Sequence, residues 1–223
     1  MFNPPKHAPV RDGLPLARVA EFDFTGYVVT EKLDGWRAFL DGDSGELIGR
    51  NSRFGFYRQT FPCWFFDGEL MPDGGFRPFD VLRHPEQGDV SSPSQIERLD
   101  LLDEIRFLRP VQWTNSVDAV AFAQEIEREG GEGIVAKLRD APYGRGGWLR
   151  FKREFTSDFL VLSVDAEKNS AEVGGSDGRS VGRIMGAGHC RPGQIVEVKA
   201  MQFTASGKLR QGRFVRLRPD KKP

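Results

Sequence analysis

The sequence predicts an α+β domain followed by a small all-β barrel, and three observations carry this prediction. Short β-type runs, broken by Gly, Asp and Pro, fill much of residues 1–153. Two stretches with helical spacing interrupt them, at 91–108 and 116–128. After residue 153 the β-type runs continue without a helical period. Because 223 residues suit one large domain or two small ones, we expect domains at 1–153 and 154–223.

The strands of the first domain are predicted from β-branched and aromatic residues that lie between turn signals. Residues 1–15 are rich in proline, and we expect them to lie irregularly over a surface. The strands are then expected at 27–30, 36–40, 46–50, 63–70 and 76–82, and in the later runs GIVAKL and WLRFK.

Both predicted helices have apolar positions at helical spacing and a recognisable end. The segment 91–108 begins with serines that can cap a helix, carries Pro93 near its first turn, and has an apolar stripe of Ile96, Leu99, Leu102 and Ile105. The segment 116–128 includes Val117 and Val120 among its apolar positions. We expect it to stop at Gly130-Gly131.

The second domain is predicted to be a closed barrel of short strands. Its β-type runs are DFLVLSV, RSVGRIM, QIVEVKAMQF and RFVRLR, separated by Gly, Ser and Asp. A segment of about 70 residues with this pattern has the size of a five-stranded OB-fold.

Charge is distributed unevenly, although the net charge is zero. Residues 179–223 hold eleven Lys/Arg and two Asp/Glu, which gives a net charge of +9. The remaining residues hold 21 basic and 30 acidic side chains, which gives −9. This asymmetry favours a basic face for a polyanion on the C-terminal part, although a solvated basic tail would give the same pattern.

The ends and the cysteines of the chain point to a cytoplasmic type of protein. The start, MFNPPKHAPV, lacks the apolar segment of a signal peptide, and no apolar run has the length of a membrane span. Cys63 and Cys190 are far apart and without metal-ligand spacing, so we expect two reduced structural thiols.

The stretch TEKLDGWRAF (30–39) places a lysine at the end of a strand, just before an Asp-Gly turn. Taken alone, it is most simply an exposed turn. The alternative is a nucleophilic lysine, which must lose its proton before it can attack. Attack on phosphorus would also need cations for the phosphoryl oxygens, carboxylates for a hard divalent metal, and an aromatic surface for a base.

Later motifs supply each of these groups in order along the chain. The carboxylates and the aromatic ring occur in FFDGELM, FRPFDVL and EGGEGIVAK, as Asp67, Glu69, Phe79 and Glu132. The cations occur in NSRFGF, GWLRFK and RFVRLRPDK, as Arg53, Arg150, Lys152, Arg218 and Lys221. Each of these six motifs has a simple structural explanation when taken alone. Their occurrence together and in this order favours a shared role in one active site.

The ordered motifs KLDGWR, SRFG, DGEL, FRPFD, EGIVAK, LRFK and RLRPDK resemble those of covalent nucleotidyltransferases, specifically small ATP-dependent DNA ligases of viral or bacterial type. The resemblance spans residues 30–221. It implies a nucleotidyltransferase (adenylation) domain of antiparallel sheets and helices, followed by an OB-fold. It also implies ATP and Mg²⁺ as cofactors, with Mn²⁺ as a possible substitute, and nicked double-stranded DNA as partner. We further expect a monomer without membrane association, in a bacterial or viral context, with a nuclear location not excluded.

The resemblance also implies roles for residues at matching positions. The catalytic set is Lys32, which would form the lysyl-AMP adduct, with Asp34 towards the 3′-hydroxyl, Arg37 and Lys152. Glu132 would bind the metal, with Asp67 as a weaker candidate. The nucleotide would be held by groups that contact adenine, ribose and phosphates: Thr30, Glu31, Lys32, Arg37, Arg53, Glu69, Phe79, Arg150, Lys152, Arg218 and Lys221.

Arg150 departs from the family pattern, in which the first cation of the LRFK motif is usually lysine. The alternatives that remain open are an RNA ligase or an mRNA-capping guanylyltransferase of the same superfamily, and a non-catalytic nucleic-acid-binding OB-fold protein. EGIVAK, with its terminal lysine, is more similar to DNA ligases than to capping enzymes.

Overall fold

The chain is divided into two compact units, Met1–Lys152 and Arg153–Pro223. The structure is a computed structural model and describes residues 5–175, 177–204 and 206–221. The division falls one residue before the boundary expected from the sequence. In the described part of the chain, no helix combines the length and the apolar character needed to cross a membrane.

In its described residues, 5–152, the first unit contains two sheets and few helices. A five-stranded sheet has the order β1-β11-β10-β2-β9 and a six-stranded sheet has the order β5-β4-β3-β6-β7-β8. The strands are β1 (Val10–Asp12), β2 (Tyr27–Lys32), β3 (Trp36–Asp41), β4 (Glu46–Gly49), β5 (Arg53–Phe56), β6 (Phe65–Leu70), β7 (Phe76–His84), β8 (Gly88–Asp89), β9 (Trp113–Asn115), β10 (Gly133–Leu138) and β11 (Trp148–Lys152). A 3-10 helix (Leu16–Glu21) and two α-helices, α1 (Gln95–Asp103) and α2 (Ala119–Arg128), complete the unit.

Both α-helices are shorter than the sequence pattern predicts. The first begins after Ser94, whose side chain caps the helix together with Glu97 in a reciprocal capping box. It ends in a tighter turn, in which Ile105 N–H donates to the Leu102 carbonyl at 3.1 Å. The prediction for Val117 was wrong, because it precedes α2 and is 86% exposed.

The cores of the first unit lie against its sheets. One cluster joins apolar residues of the six-stranded sheet to α1, and another joins the five-stranded sheet to α2 and the 3-10 helix. Burying these apolar faces removes hydrocarbon surface from water, which is the main favourable term in folding. The strands that carry candidate site residues are therefore anchored in rigid sheets.

The second unit is built around a closed barrel with the strand order β12-β13-β14-β18-β15, and β16 and β17 form a separate two-stranded sheet. The strands are β12 (Phe155–Asp165), β13 (Ser170–Gly174), β14 (Ser180–Met185), β15 (Ile195–Ala200), β16 (Gln202–Phe203), β17 (Leu209–Arg210) and β18 (Arg213–Leu217). Inward residues of the barrel strands, such as Val173, Ile184 and Val198, are fully buried and form its core. Within its described residues, the unit consists of strands and connecting segments.

Candidate active site

A cavity of about 420 Å³ in the first unit collects side chains from both sheets. Residues from β1, β2, β10 and β11 line it on the side of the five-stranded sheet, and residues from β3, β6 and β7 line it on the side of the six-stranded sheet. Its lining includes many residues that the sequence motifs single out: Thr30, Glu31, Lys32, Arg37, Glu69, Phe79 and Arg150. Motifs that are distant in sequence therefore share one cavity.

Lys32 is the last residue of β2 and contacts Glu132, which lies just before β10. Antiparallel pairing sets Lys32 opposite Gly133, so the preceding Glu132 reaches the lysine. The Oε2 atom of Glu132 lies 2.6 Å from Lys32 Nζ. The Lys32 side chain is 20% exposed and the Glu132 side chain is 9% exposed. Gly133 has φ +150, and a Cβ there would lie 2.0 Å from the Phe151 carbonyl oxygen. The glycine thus permits the close strand packing that brings the two charged groups together.

The turn after Lys32 is wedged against β6. Asp34 is exposed in this turn, between β2 and β3. A Cβ on the following Gly35 would lie 2.4 Å from the backbone carbonyl oxygen of Leu70. Gly35 is therefore a packed part of the cavity lining, whereas Asp34 stays on the exposed side of the turn.

Glu69 of β6 lines the cavity and is largely buried. Burial raises the pKa of its carboxyl group to about 7, although the nearby charge of Lys32 acts in the opposite direction. Near neutral pH a substantial fraction of Glu69 is therefore protonated, and the protonated group can donate as well as accept a hydrogen bond.

An aromatic wall forms another part of the cavity. The rings of Phe79 and Trp148 meet edge to face with centroids 5.7 Å apart. Lys137 Nζ donates to the Phe79 carbonyl at 2.7 Å and lies 4.1 Å from the centroid of the Trp148 ring. Burial lowers the pKa of Lys137 to about 8, against the opposing effect of Asp80.

Lys137 is the last residue of the motif EGIVAK, and no role was predicted for it from the sequence. The signal that could have found it is a lysine within the otherwise apolar run GIVAKL, because buried lysines are rare. Trp148 was likewise overlooked, although it opens the motif WLRFK.

Asp67 does not lie in the cavity lining, and its oxygens are engaged in internal contacts. The side chain is fully buried, with Oδ2 2.6 Å from Arg37 Nη2 and 2.6 Å from the Tyr143 hydroxyl, and Oδ1 3.1 Å from Arg37 Nε. Burial opposes its ionisation, but Arg37, His7 and Tyr143 hold the pKa of the carboxyl group at about 2. The prediction of Asp67 as a metal ligand therefore finds no support in this geometry, which assigns it to fixing Arg37.

Arg37 itself lines the cavity, but its donors are largely committed. Besides Asp67, its Nη1 donates to the Ala8 carbonyl at 2.9 Å, and its guanidinium carbon lies 4.7 Å from the centroid of the Trp148 ring. The arginine thus joins the N-terminal segment to the aromatic wall.

The prediction that Arg53 belongs to the nucleotide site differs from the structure, which places Arg50 at the cavity instead. Arg53 lies on β5, is 74% exposed in its side chain, and forms an ion pair with Glu46. The pairing of β4 with β5 contains an irregularity between Leu47 and Ile48, which sequence spacing does not reveal. The two arginines are too close in sequence for the motif alone to distinguish them.

Arg150 and Lys152 lie on β11, two residues apart and near the same carboxylate. Arg150 lines the cavity, and Lys152 pairs in register with Gly133, beside Glu132. Asp12 of β1 lies 2.5 Å from Arg150 Nε and 3.7 Å from Lys152 Nζ. Asp12 belongs to none of the sequence motifs, so its place beside these cations could not be predicted from them.

Arg218 and Lys221 belong to the second unit, where carboxylates hold both of them. Arg218 Nη1 lies 3.0 Å from Asp158 Oδ1, and its Nη2 lies 2.9 Å from Asp220 Oδ2. Lys221 also pairs with Asp158. These cations form one ordered cluster on the barrel, and their predicted role with pyrophosphate stays a prediction.

Comparison with known proteins identifies the architecture as that of DNA ligases. No family model matches the sequence. The chain is similar in structure to a Lig E DNA ligase described as binding DNA with a minimal scaffold, with a TM-score of 0.73 and 21% identity, over 98% of this chain and 100% of that one. A mycobacterial DNA ligase D solved with ATP gives a TM-score of 0.54 and 19% identity, over 97% of this chain and 96% of that one.

The curated relatives carry the same designation. A probable DNA ligase of Beutenbergia cavernae is 34% identical over 94 residues, which are 39% of this chain and 18% of that protein. A probable DNA ligase of Kineococcus radiotolerans is 31% identical over 160 residues, which are 64% of this chain and 31% of that protein. The chain thus spans less than a third of the length of these relatives, while its resemblance to DNA ligases is confirmed.

Proposed function

We propose that the protein is an ATP-dependent DNA ligase that seals nicks between a 5′-phosphate and a 3′-hydroxyl. The observation that carries this proposal is Lys32, whose Nζ lies 2.6 Å from Glu132 at a cavity that also holds Glu69, Phe79 and Arg150. Similarity to probable DNA ligases supports the choice of DNA as substrate, and the ATP complex of a protein with this fold supports the choice of nucleotide.

In the first step, Lys32 attacks the α-phosphorus of ATP. A bond forms between Nζ and phosphorus, the bond from phosphorus to pyrophosphate breaks, and pyrophosphate leaves. The amine must first lose a proton to solvent, and the Glu132 carboxylate, 2.6 Å from Nζ, holds the lysine side chain in place at the cavity. Arg150, at the cavity wall, would stabilise the charge that develops on the phosphoryl oxygens.

The rest of the cavity has the right chemistry for the nucleoside. Phe79 offers an aromatic face on which adenine can stack, supported by Trp148 and fixed through its carbonyl by Lys137. Glu69, as acceptor or as donor, can bind the ribose hydroxyls. Thr30 and Glu31 line the same cavity on β2.

The second and third steps complete the exchange of bonds. AMP passes from Lys32 to the 5′-phosphate of the nick, so that a phosphorus–nitrogen bond is replaced by a phosphorus–oxygen bond. The 3′-hydroxyl then attacks the 5′-phosphorus and expels AMP, which seals the strand. Asp34, exposed on the turn that follows Lys32, is proposed to face the 3′-hydroxyl.

Magnesium fits this site as an ion shared with the substrate. Within the described residues no group of three or more His, Cys, Asp or Glu side chains could hold a metal by itself. Mg²⁺ is commonly bound by one or two carboxylates together with substrate phosphates. Glu132 would hold it here, and the ion would supply positive charge to the phosphates.

The two units are proposed to have different roles, adenylation for the first and DNA binding for the second. The first would be the adenylation domain of an α+β nucleotidyltransferase, and the closed five-stranded barrel would be an OB-fold that binds duplex DNA through its basic side chains. Arg218 and Lys221 would orient the leaving pyrophosphate. Binding of DNA to such a surface should weaken steeply with salt concentration.

Replacement of the nucleophile tests the proposal. Wild-type protein incubated with α-labelled ATP and Mg²⁺ should retain the label covalently, and Lys32→Ala should retain none. Lys6→Ala is a matched control, because that lysine is exposed in the first unit and lies outside the cavity lining.

The same proteins should be given nicked duplex DNA and its RNA counterparts. Lys32→Ala should fail to seal a nick with ATP, whereas Lys6→Ala should seal it like wild type. Full sealing by Lys32→Ala on a nick that carries no AMP would refute the assignment of the nucleophile. Sealing of RNA alone would move the substrate assignment to RNA ligases.

A further inference from the structure

The strand β1 forms part of the cavity, although its partner strand β11 follows it by 138 residues. It pairs in parallel with β11, with Val10 opposite Trp148 and Asp12 opposite Arg150. Val10 lines the cavity. Just after the end of β1, the Gly13 N–H donates to the Arg150 carbonyl at 2.9 Å. The backbone of β1 is therefore fixed beside the cation that enters the cavity.

The Asp12 carboxylate binds one edge of the Arg150 guanidinium. Arg150 Nε lies 2.5 Å from Asp12 Oδ1, and Arg150 Nη2 lies 3.4 Å from Asp12 Oδ2. Lys152 Nζ is also near, 3.7 Å from Oδ1. One carboxylate thus touches both cations of β11, and it holds the arginine through two contacts.

A guanidinium held in this way can still bind an anion. It has N–H donors along more than one edge of a rigid plane, and Asp12 engages the edge formed by Nε and Nη2. The Nη1 donors lie on a different edge of the guanidinium plane from the one that Asp12 contacts. Arg150 is also one of the residues that line the cavity. A lysine ammonium on a flexible stem has no such fixed second edge, which gives a physical reason for arginine at this position.

We propose that Asp12 is a positioning residue, which acts through Arg150 to orient that guanidinium towards the phosphates of the bound nucleotide. The inference rests on the proposed function, because it takes ATP as the ligand of the cavity. Asp12 and Arg150 are 57% and 37% exposed in their side chains, so the pair contributes through orientation rather than through a strong ion-pair energy.

The direction in which ATP affinity changes when Asp12 loses its charge distinguishes this role from simple charge repulsion. A carboxylate close to a phosphate site repels the ligand, so loss of the Asp12 charge alone would tighten ATP binding. Loss of an orienting contact would weaken ATP binding, and only while arginine occupies position 150. A purely structural role of Asp12 would act equally with arginine or with lysine at that position.

The test is a double-mutant cycle on ATP affinity, measured by calorimetry in protein that carries Lys32→Ala and therefore forms no covalent adduct. In this background Asp12→Asn should weaken ATP binding about fivefold, which is at the upper end for a partly exposed ion pair. With Arg150→Lys also present, Asp12→Asn should change the affinity by less than about twofold.

Two further variants complete the design. Asp12→Glu keeps the carboxylate and should restore affinity to within about twofold of the parent protein. Asp140→Asn is a matched control, because Asp140 is 87% exposed and lies outside the cavity lining; its affinity should equal that of the parent. A melting temperature for each variant verifies that the fold is retained.

The outcomes separate the inference from the function on which it depends. Tighter or unchanged ATP binding by Asp12→Asn, or the same loss with lysine at position 150, would overturn the role of Asp12 alone. Absence of ATP binding by the Lys32→Ala protein would overturn the proposed function as well. Weaker binding that depends on Arg150 supports both.

Discussion

Replacing Glu69 by glutamine should remove a pH dependence of stability that this carboxyl group creates. Burial raises its pKa in the folded protein to about 7, from the ordinary value of 4.5. In the unfolded chain the group loses its proton near 4.5, whereas in the folded chain it keeps the proton until near 7. Between these values the folded state binds more protons, so Glu69 makes stability fall as pH rises.

The magnitude follows from the two pKa values. One unit of difference corresponds to about 1.4 kcal/mol, so the full contribution is roughly 3 kcal/mol against folding above pH 7. Between about pH 5.5 and pH 8, roughly 2 kcal/mol of this contribution develops. Glutamine does not titrate, so the stability of Glu69→Gln relative to wild type should rise by roughly that amount over the same interval.

Urea unfolding at several pH values measures this difference directly. Other titrating groups affect both proteins alike and cancel when the two unfolding free energies are subtracted. Glu129→Gln is a matched control for the substitution itself, because Glu129 is exposed at the end of α2. A difference between Glu69→Gln and wild type that stays flat from pH 5.5 to pH 8 would show that burial does not govern this carboxyl group.

Three further predictions concern packing and the arginines. Arg98→Met removes the guanidinium that lies 2.7 Å from the fully buried Asp80 and leaves that carboxylate with Lys137 at 4.0 Å, so it should lower the free energy of unfolding in urea by about 3–5 kcal/mol; a loss below about 1 kcal/mol would contradict this. Gly35→Ala places a Cβ 2.4 Å from a backbone carbonyl oxygen, and should cost about 1–3 kcal/mol in the same assay and slow adduct formation. Arg50→Ala should reduce covalent labelling by ATP about tenfold or more, whereas Arg53→Ala should stay within about twofold of wild type; the opposite order would restore the assignment of Arg53.

The sequence predicted the parts of the site that depend on local order along a strand. Lys32 and Glu69 follow or end apolar strands, and the structure brings both to one cavity. The sequence could not predict which partners a side chain meets once strands that are distant in the chain pair with each other. Asp67 and Glu69 are two residues apart on β6, yet the first is engaged by Arg37 away from the cavity lining and the second faces the cavity.

The same limit explains the errors in the fold. Strand existence followed from composition, but β1 could not be foreseen, because three residues after a proline-rich start carry no periodic signal and the partner strand is distant. Helix ends were misjudged where apolar spacing continued beyond the hydrogen-bonded turns, as at Val117. Arg98, a charged residue inside α1, is fully buried, and no apolar pattern would select it.

The parallel pairing of β1 with β11 has a consequence for biosynthesis. The contact between Asp12 of β1 and Arg150 of β11 joins residues that are 138 positions apart. The strand β1 therefore leaves the ribosome long before β11, its pairing partner. Closing so long a loop is slow compared with making local contacts. Until translation has passed β11, the chain must carry β1 unpaired, and the cavity can acquire its last wall only near the end of folding of the first unit.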